Sequence, residues 1–358
     1  MHTDNAATAP ELDFGRRVLR LGPPGRPLML LDVRALAISL AFAVFTFALA
    51  TYGIFDGDAG VTAREAMAAL VGRGDAFSTM IVVEWRLPRL IMAVLLGAAL
   101  ALSGAIFQNL TANPLGSPDV IGFQTGSYTG AIIVMLILQG GAVATMLGVL
   151  GGGVITAFAV FILASRRGVA RGVRLIIVGI GVSAMLSSIN VWILLTASVE
   201  DAIMASLWGA GNLSGAKWST LLFILPFVVV LLAAVGLLGR SMRILQIGVP
   251  FATGLGLRVR LVQVCAIVIG VGLTALATST AGPISFIALA APQIARRLAR
   301  TDGLALLPTA ATGAFLLLLA DIVAQRINPD SPLPVGIVTV SIGGIYFLWL
   351  LFREGRRS

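Results

Sequence analysis

The chain has 358 residues, 58% of them apolar and only 11% charged, and a formal net charge of +9. Soluble globular domains carry roughly 45–50% apolar and about 25% charged residues, so this composition all but excludes a water-soluble enzyme or binding module. A single cysteine, Cys265, and a single histidine, His2, exclude an intramolecular disulfide framework, a Cys/His metal site and histidine-based catalysis inside a membrane.

In chain order, residues 1–33 are polar and rich in Pro and Gly, with Arg16, Arg17, Arg20 and Arg26 ahead of the first apolar run. A cleavable signal has a shorter charged region and a small-residue cleavage site, so this stretch reads as a flexible cytoplasmic leader. Apolar runs follow at 34–53, 88–108, 119–138, 142–165, 175–197, 218–238, 261–281, 284–297, 304–324 and 334–352. About 20 apolar residues cross a bilayer core, so these are ten candidate spans. They make 34–353 one transmembrane domain, with 354–358 as a short tail. The run at 119–138 carries Gly122, Gly126 and Gly130, a stripe suited to close helix packing. The run at 284–297 is short and follows Gly282-Pro283, as a half-span does. The fold class is an all-α polytopic membrane protein.

Orientation follows from the basic residues. With the N-terminus inside, 19 of the 25 basic residues fall on cytoplasmic segments: the leader with Arg34, 166–174, 240–260, 296–300 and the tail. Arg64, Arg73, Arg86, Arg89, Lys217 and Arg326 fall outside. Both termini are then cytoplasmic. The basic excess faces anionic lipid and whatever docks there, so nucleic acid is not needed to explain it.

No G-x-x-x-x-G-K-[ST] loop is present; the nearest stretch, 209–218, lacks the adjacent Gly-Lys and the hydroxyl, so the chain does not hydrolyse ATP by itself. There is no HExxH and no paired intramembrane carboxylate. Asp321 is the one acid placed inside a span, near its outer end, where a capped or solvated interfacial acid is as good a reading as a functional one. The scarcity of midplane charge argues that energy comes from another subunit.

Three segments stand out. Arg86-Leu87-Pro88-Arg89 places two arginines at i and i+3 on one face of a helix mouth, either as membrane anchors or as a docking pair for carboxylates of an extracytoplasmic partner. It leads into a glycine-rich span and the rigid turn Asn113-Pro114-Leu115 with Ser117-Pro118. At 281–301 a Gly-Pro break, a short span and an arginine-ended helix follow one another. At 320–351, Pro332, Pro334 and Gly336 open the last span and Gly343-Gly344 interrupt it.

These segments resemble the FecCD family, the membrane permeases of ATP-binding-cassette (ABC) importers for ferric siderophores, haem and cobalamin. The family's RLPR, G-A-x-L-x-x-S-G and NPL-x-x-P run is nearly complete at 86–122. The A-G-x-I-x-F-x-x-L-x-x-P-H-x-x-R run occurs at 281–296, with Gln293 in the histidine place. Gln325 and Leu333 stand where the family has arginine and glutamate, in the runs at 320–325 and 332–339. The ending TVSIGGIYFLWLL looks most like permeases of ferric catecholate siderophores, the enterobactin type.

The resemblance implies the type II importer permease (BtuC-like) fold of ten spans. It implies a second permease subunit around a central path, two ATPase subunits and an extracytoplasmic binding protein. No cofactor is then expected on this chain, and ATP with Mg belongs to the ATPases. Binding-protein docking falls on Arg86 and Arg89, with Arg326 one place beyond the family's third arginine. ATPase coupling falls on Ile247, Gly248, Val249, Pro250, Phe251, Ala252, Thr253, Gly254, Leu255 and Gly256, within a loop at 240–260. The family's acid and arginine are Val249 and Thr253 here, so coupling rests on shape and apolar contact. A partner with the usual loop would compensate, which favours a paralogous permease, hence a heterodimer, over a homodimer. The cytoplasmic gate falls on Asn113, Leu115, Gly172 and Val173. Gln108, Ser183, Ser187 and Asn190 are candidates for the translocation path. The favoured function is import of a ferric siderophore by alternating access. The alternatives are a haem or cobalamin permease of the same family, and a stand-alone carrier or channel. An intramembrane enzyme lacks any nucleophile–base arrangement.

Overall fold

A computed structural model of the protein describes residues 18–21, 29–56, 60–166, 169–170, 172–301, 303–328 and 331–355. It begins with an antiparallel hairpin, β1 (Val18–Leu21) and β2 (Met29–Asp32), pairing Val18 with Asp32 and Leu21 with Met29. Within the leader, read from the sequence as a flexible stretch, these eight residues pair as two strands. Two short apolar tetrads flank the turn-forming Gly22-Pro23-Pro24-Gly25 in the sequence, and that is enough to pair them. Arg16, Arg17, Arg26 and the last three residues lie outside the described residues.

β2 runs straight into α1 (Val33–Phe55), capped by the Asp32 carboxylate, which accepts from Arg34 N–H at 2.9 Å. A small helical cap follows, α2 (Ala63–Leu70) and α3 (Ala76–Thr79), built on Val61, Ala66, Ala69, Ile81 and Val82. A π-helical stretch, Met80–Arg86, joins α3 to α4 (Leu87–Thr111) as one continuous helical run. Its wider turn carries the backbone past Pro88, which cannot donate and crowds the preceding turn; the Leu87 N–H bonds the Val82 carbonyl, five residues back.

The remaining elements are α5 (Phe123–Ile132) with a π-helical end at Ile133–Ile137, α6 (Ala142–Ala164), a two-residue hairpin of β3 (Ser165–Arg166) and β4 (Val169–Ala170), and α7 (Gly172–Thr196). Then come α8 (Val199–Gly209), α9 (Trp218–Gln246), α10 (Val249–Gly254), α11 (Val259–Ala281), α12 (Ile287–Ala299), α13 (Leu306–Ile327) and α14 (Val335–Gly355). Seven of the described helices are long and apolar enough to cross a membrane. α5 with its π-helical end, α12 and α14 complete a set of ten. α1, α6, α7 and α9 turn Leu, Phe, Val and Ile side chains outward, as lipid-facing helices do.

α4 is the axis of the bundle. It packs on α13, α11 and α12. Its small residues allow backbones to touch: a Cβ at Gly104 would overlap the Ala288 carbonyl of α12, and one at Gly97 would overlap the Gly313 carbonyl of α13. Ser103 donates to the Gly270 carbonyl of α11 at 2.7 Å and meets Thr274 at 2.8 Å. The stripe of Gly126 and Gly130 on α5 meets Gly148 and Gly152 on α6, so this pair closes as tightly. Gly104→Val is therefore expected to destabilise the protein by about 1–3 kcal/mol through overpacking, read as a lowered Tm in detergent.

Gly343 and Gly344 do not interrupt the last span. α14 runs unbroken through them. Gly343 instead makes room for the Phe286 ring, which a Cβ there would strike.

Candidate functional site

The leader and the C-terminus of α12 share one end of the bundle, since Arg34 Nε donates to the Leu298 carbonyl at 2.8 Å. The opposite end gathers the C-termini of α1 and α13 with the start of α4. Arg86 Nη1 donates there to the Ile54 carbonyl at 2.7 Å. Arg326 Nη2 pairs with Asp56 Oδ2 at 2.8 Å, and its guanidinium lies 5.6 Å from the Tyr52 ring centroid. The Tyr52 hydroxyl first, then the Arg326 guanidinium, hold the Asp56 carboxyl below its usual range. A depressed carboxylate pKa keeps this pair charged at neutral pH and loses it only as pH falls through the lowered value. Arg86 and Arg326 are both half-exposed at this surface.

Arg89 is different: its guanidinium is turned inward on a carboxylate of α13. Its Nε donates to Asp321 Oδ2 at 3.0 Å and its Nη2 to Oδ1 at 2.9 Å, a bidentate fork. The Asp321 side chain is 0% exposed and that of Arg89 15%. Gln325 Nε2 adds a third bond to Asp321 Oδ2 at 2.9 Å. Asp321 is thus neither capped nor solvated; it is the buried anchor that joins α13 to α4. Gln325, which departs from the family's arginine, serves the same carboxylate.

At the leader end, α10 is a six-residue helix between α9 and α11. Gly248 enters it at φ 120°, a conformation that favours glycine, and Pro250 occupies its first turn. Ala252 is buried against Leu245, Val259 and Val262. Ile247, Val249, Phe251 and Leu255 face outward. Thr253 Oγ1 donates to the Val249 carbonyl, so it closes on its own helix; Gly254 and Gly256 lie exposed at the exit.

The turn after α4 meets the start of α7. Asn113 Oδ1 accepts from Leu115 N–H at 2.8 Å, which sets the turn, and Gly172 packs so closely on Thr111 that a Cβ would overlap its carbonyl. Val173, the next residue, is exposed. The structure therefore brings Asn113, Leu115 and Gly172 to one place. Gln293 Nε2 donates to the Pro114 carbonyl at 2.7 Å and ties α12 to the same turn.

The four path candidates separate. Gln108 is buried and spent between helices: its Nε2 donates to the Leu289 carbonyl at 3.0 Å and its Oε1 accepts from Arg296 Nη2 at 2.7 Å. Asn190 is buried, and Ser183 meets Thr125 of α5 at 2.9 Å. Ser187 alone of the four lies on an open face, that of α7. A cleft lined by Gln108, Asn109, Gln246, Pro292, Arg296 and Thr309 brings the last residue of α9 beside this polar layer.

One residue escaped the sequence reading. Asp119, in the turn beyond Pro118, accepts the Phe286 N–H at 3.2 Å through Oδ2, while its Oδ1 is buried without a partner. Phe286 holds φ 68°, a strained value for a bulky residue, just ahead of α12. A Ser-Pro-Asp turn gave no sign that its carboxylate reaches a helix start 167 residues on.

The sequence profile of the FecCD transport family matches residues 42–353. The chain is 46% identical over 307 residues to the ferric enterobactin transport system permease protein FepG of Escherichia coli K12, covering 86% of this chain and 93% of that one. It is 32% identical over 337 residues to the iron(3+)-hydroxamate import system permease protein FhuG of Bacillus subtilis 168, covering 92% and 98%. Its fold matches a solved structure described as an inward-facing conformation of a metal-chelate type ABC transporter, with TM-score 0.78, 24% identity, and coverage of 88% of this chain and 99% of that chain. With a family match along nearly the whole bundle, this multi-pass membrane chain belongs to the FecCD transport family.

Proposed function

We propose that the chain is the permease subunit of an ABC importer that moves a ferric siderophore into the cytoplasm. The observation that carries this reading is the 46% identity along 93% of the ferric enterobactin permease. Identity to the hemin permease HmuU of Yersinia pestis is lower, 36% over 280 residues, which favours a complex of the enterobactin type over haem. The leader, α10 and the arginine-rich ends of α9, α11 and α12 face the cytoplasm, as the distribution of basic residues supports. The partners are a paralogous permease, two ATPase subunits that bind ATP and Mg, and an extracytoplasmic binding protein.

Transport proceeds by alternating access. Closure of the ATPase pair moves α10 as a body and shifts the bundle toward an outward-open state under a docked binding protein; hydrolysis resets it. Each shift draws on the differential affinity of ATP, or of the docked protein, for the two states. The turn at Asn113 and Leu115, against Gly172 and Val173, is the cytoplasmic gate. Purification of the tagged chain in mild detergent, with co-eluting subunits identified by mass, tests the reading. An ATPase and a second, related permease are expected; a single species free of ATPase under gentle conditions would favour a stand-alone carrier.

Docking falls on Arg86 and Arg326, the half-exposed arginines. The variant Arg86→Glu with Arg326→Gln, which sets no second carboxylate beside Asp56, is expected to lower uptake at least about tenfold by placing like charge against an acidic partner, at unchanged yield of folded permease. Wild-type uptake in that variant would remove the docking role.

A further inference from the structure

Three chain segments meet backbone to backbone at the end of the bundle that carries Arg86. Trp218, at the start of α9, donates from Nε1 to the Val83 carbonyl at 2.7 Å, which places the link between α8 and α9 at that end. The end of α8 is locked onto the break after α11. Asn212 N–H bonds the Ala281 carbonyl at 2.7 Å, and a Cβ at Gly282 would overlap the Trp208 carbonyl. Gly336 of α14 closes on the same place: its N–H bonds the Gly211 carbonyl at 3.2 Å, and a Cβ there would overlap the Ala210 carbonyl. Just beyond Gly282-Pro283, Phe286 holds φ 68° with its side chain against Gly343. From Phe286, α12 runs to the leader end, where Arg34 reaches Leu298.

α12 is also fastened to the turn after α4 at two points. Asp119 Oδ2 accepts the Phe286 N–H at its start, and Gln293 Nε2 donates to the Pro114 carbonyl about two turns on. The lock at α8 and the turn at Asn113–Leu115 are thus the two ends of one connected piece, and Phe286 is its joint. The joint carries two unmet demands. A left-handed backbone disfavours a bulky side chain, and Asp119 Oδ1 is buried without a partner. One shift meets both. The first turn of a helix has N–H groups with no intrahelical partner, and a carboxylate is favoured there. If Phe286 leaves φ 68°, its bond to Oδ2 is given up and the whole Asp119 carboxylate caps the first turn of α12.

We infer that Asp119 is a positioning residue for transport: its bond to Phe286 is a two-state joint that makes the α8 lock and the turn at Asn113–Leu115 open and close in opposition. This rests on the importer reading above, in which that turn is the cytoplasmic gate. A rigid piece that pivots at Phe286 carries its two ends in opposite senses. Close packing on glycine leaves two discrete arrangements rather than a continuum between them. Nucleotide selects one of them through its differential affinity for the two states.

The test follows two thiols in the assembled importer in nanodiscs, on a Cys265→Ser background. Ser206→Cys lies on the exposed side of α8, and Val173→Cys beside the gate turn. Labelling of each by a water-soluble maleimide is measured without nucleotide and with a non-hydrolysable ATP analogue. In the parent, the two rates are expected to change in opposite directions. Asp119→Ala is expected to keep the response at Val173→Cys, abolish that at Ser206→Cys, and lower transport per ATP hydrolysed at least about tenfold. Asp119→Asn, which keeps an acceptor for the Phe286 N–H, is expected to restore the opposition. Gly343→Ala, whose methyl would strike the Phe286 side chain, is expected to move both rates toward their nucleotide-bound values without nucleotide. That variant decides the matter should Asp119→Ala fail to fold. Opposed changes in a folded Asp119→Ala, or parent rates in a folded Gly343→Ala, overturn the inference and leave the importer reading standing. Parent rates that ignore nucleotide overturn both.

Discussion

Arg89→Leu is expected to destabilise the folded permease by about 3–5 kcal/mol, the range for breaking a buried ion pair from one side. The substitution leaves Asp321, whose side chain is 0% exposed, as a charge without its cation. Gln325 still donates one bond, but an amide does not balance a buried carboxylate. The reverse change costs less. Asp321→Asn keeps acceptor capacity for Arg89, whose side chain is 15% exposed and reaches the surface by bending along its stem. Replacing both partners with leucine should restore much of the loss, because two apolar side chains need no compensation. Thermal unfolding in detergent reads all three. A wild-type Tm for Arg89→Leu would show that the fork between α4 and α13 does not hold the bundle. The same geometry disqualifies Arg89→Glu as a docking test, since it sets a second carboxylate against the first.

The second large effect concerns function rather than folding. Gly248 enters α10 at φ 120°, and no atom lies nearer its would-be Cβ than the Pro250 ring at 3.9 Å. Gly248→Val is therefore penalised by backbone conformation and not by collision, at about 1–3 kcal/mol. That strain re-aims α10 and is expected to lower transport per ATP hydrolysed by about ten- to a hundredfold. Gly254→Ala is the control. It sits at the end of the same helix with open space around it and without a positive φ, so coupling should be unchanged. Equal coupling in Gly248→Val and wild type would move the ATPase contact away from α10.

Seven long apolar helices were legible as runs in the sequence because lipid enforces a long apolar run for each crossing. The close approach of α5 and α6 was legible for a related reason: glycines at four-residue spacing mark one helix face, and Gly126 and Gly130 meet Gly148 and Gly152 there. What stayed hidden is pairing between distant segments, which has no period to betray it. Arg89 and Asp321 are 232 residues apart. Gln108 read as a polar path residue, yet Leu289 and Arg296 of α12 take both ends of its amide. Gln293 read only as a departure from a motif, and the structure shows what the residue does: it holds the Pro114 carbonyl. Gly343-Gly344 read as a break because glycine weakens helices in water. In the bundle their effect is local space for Phe286, and the helix continues.

The central claim is that this chain moves an iron complex only when separate subunits hydrolyse ATP on its leader side. The direct measurement is uptake of a radio-iron-labelled catecholate complex by vesicles containing the chain with its co-purified subunits and binding protein. ATP is supplied to the α10 face, or replaced by a non-hydrolysable analogue. Uptake that needs hydrolysable ATP on that face and disappears without the binding protein is the predicted result. Uptake by the chain alone, unaffected by ATP, would contradict it.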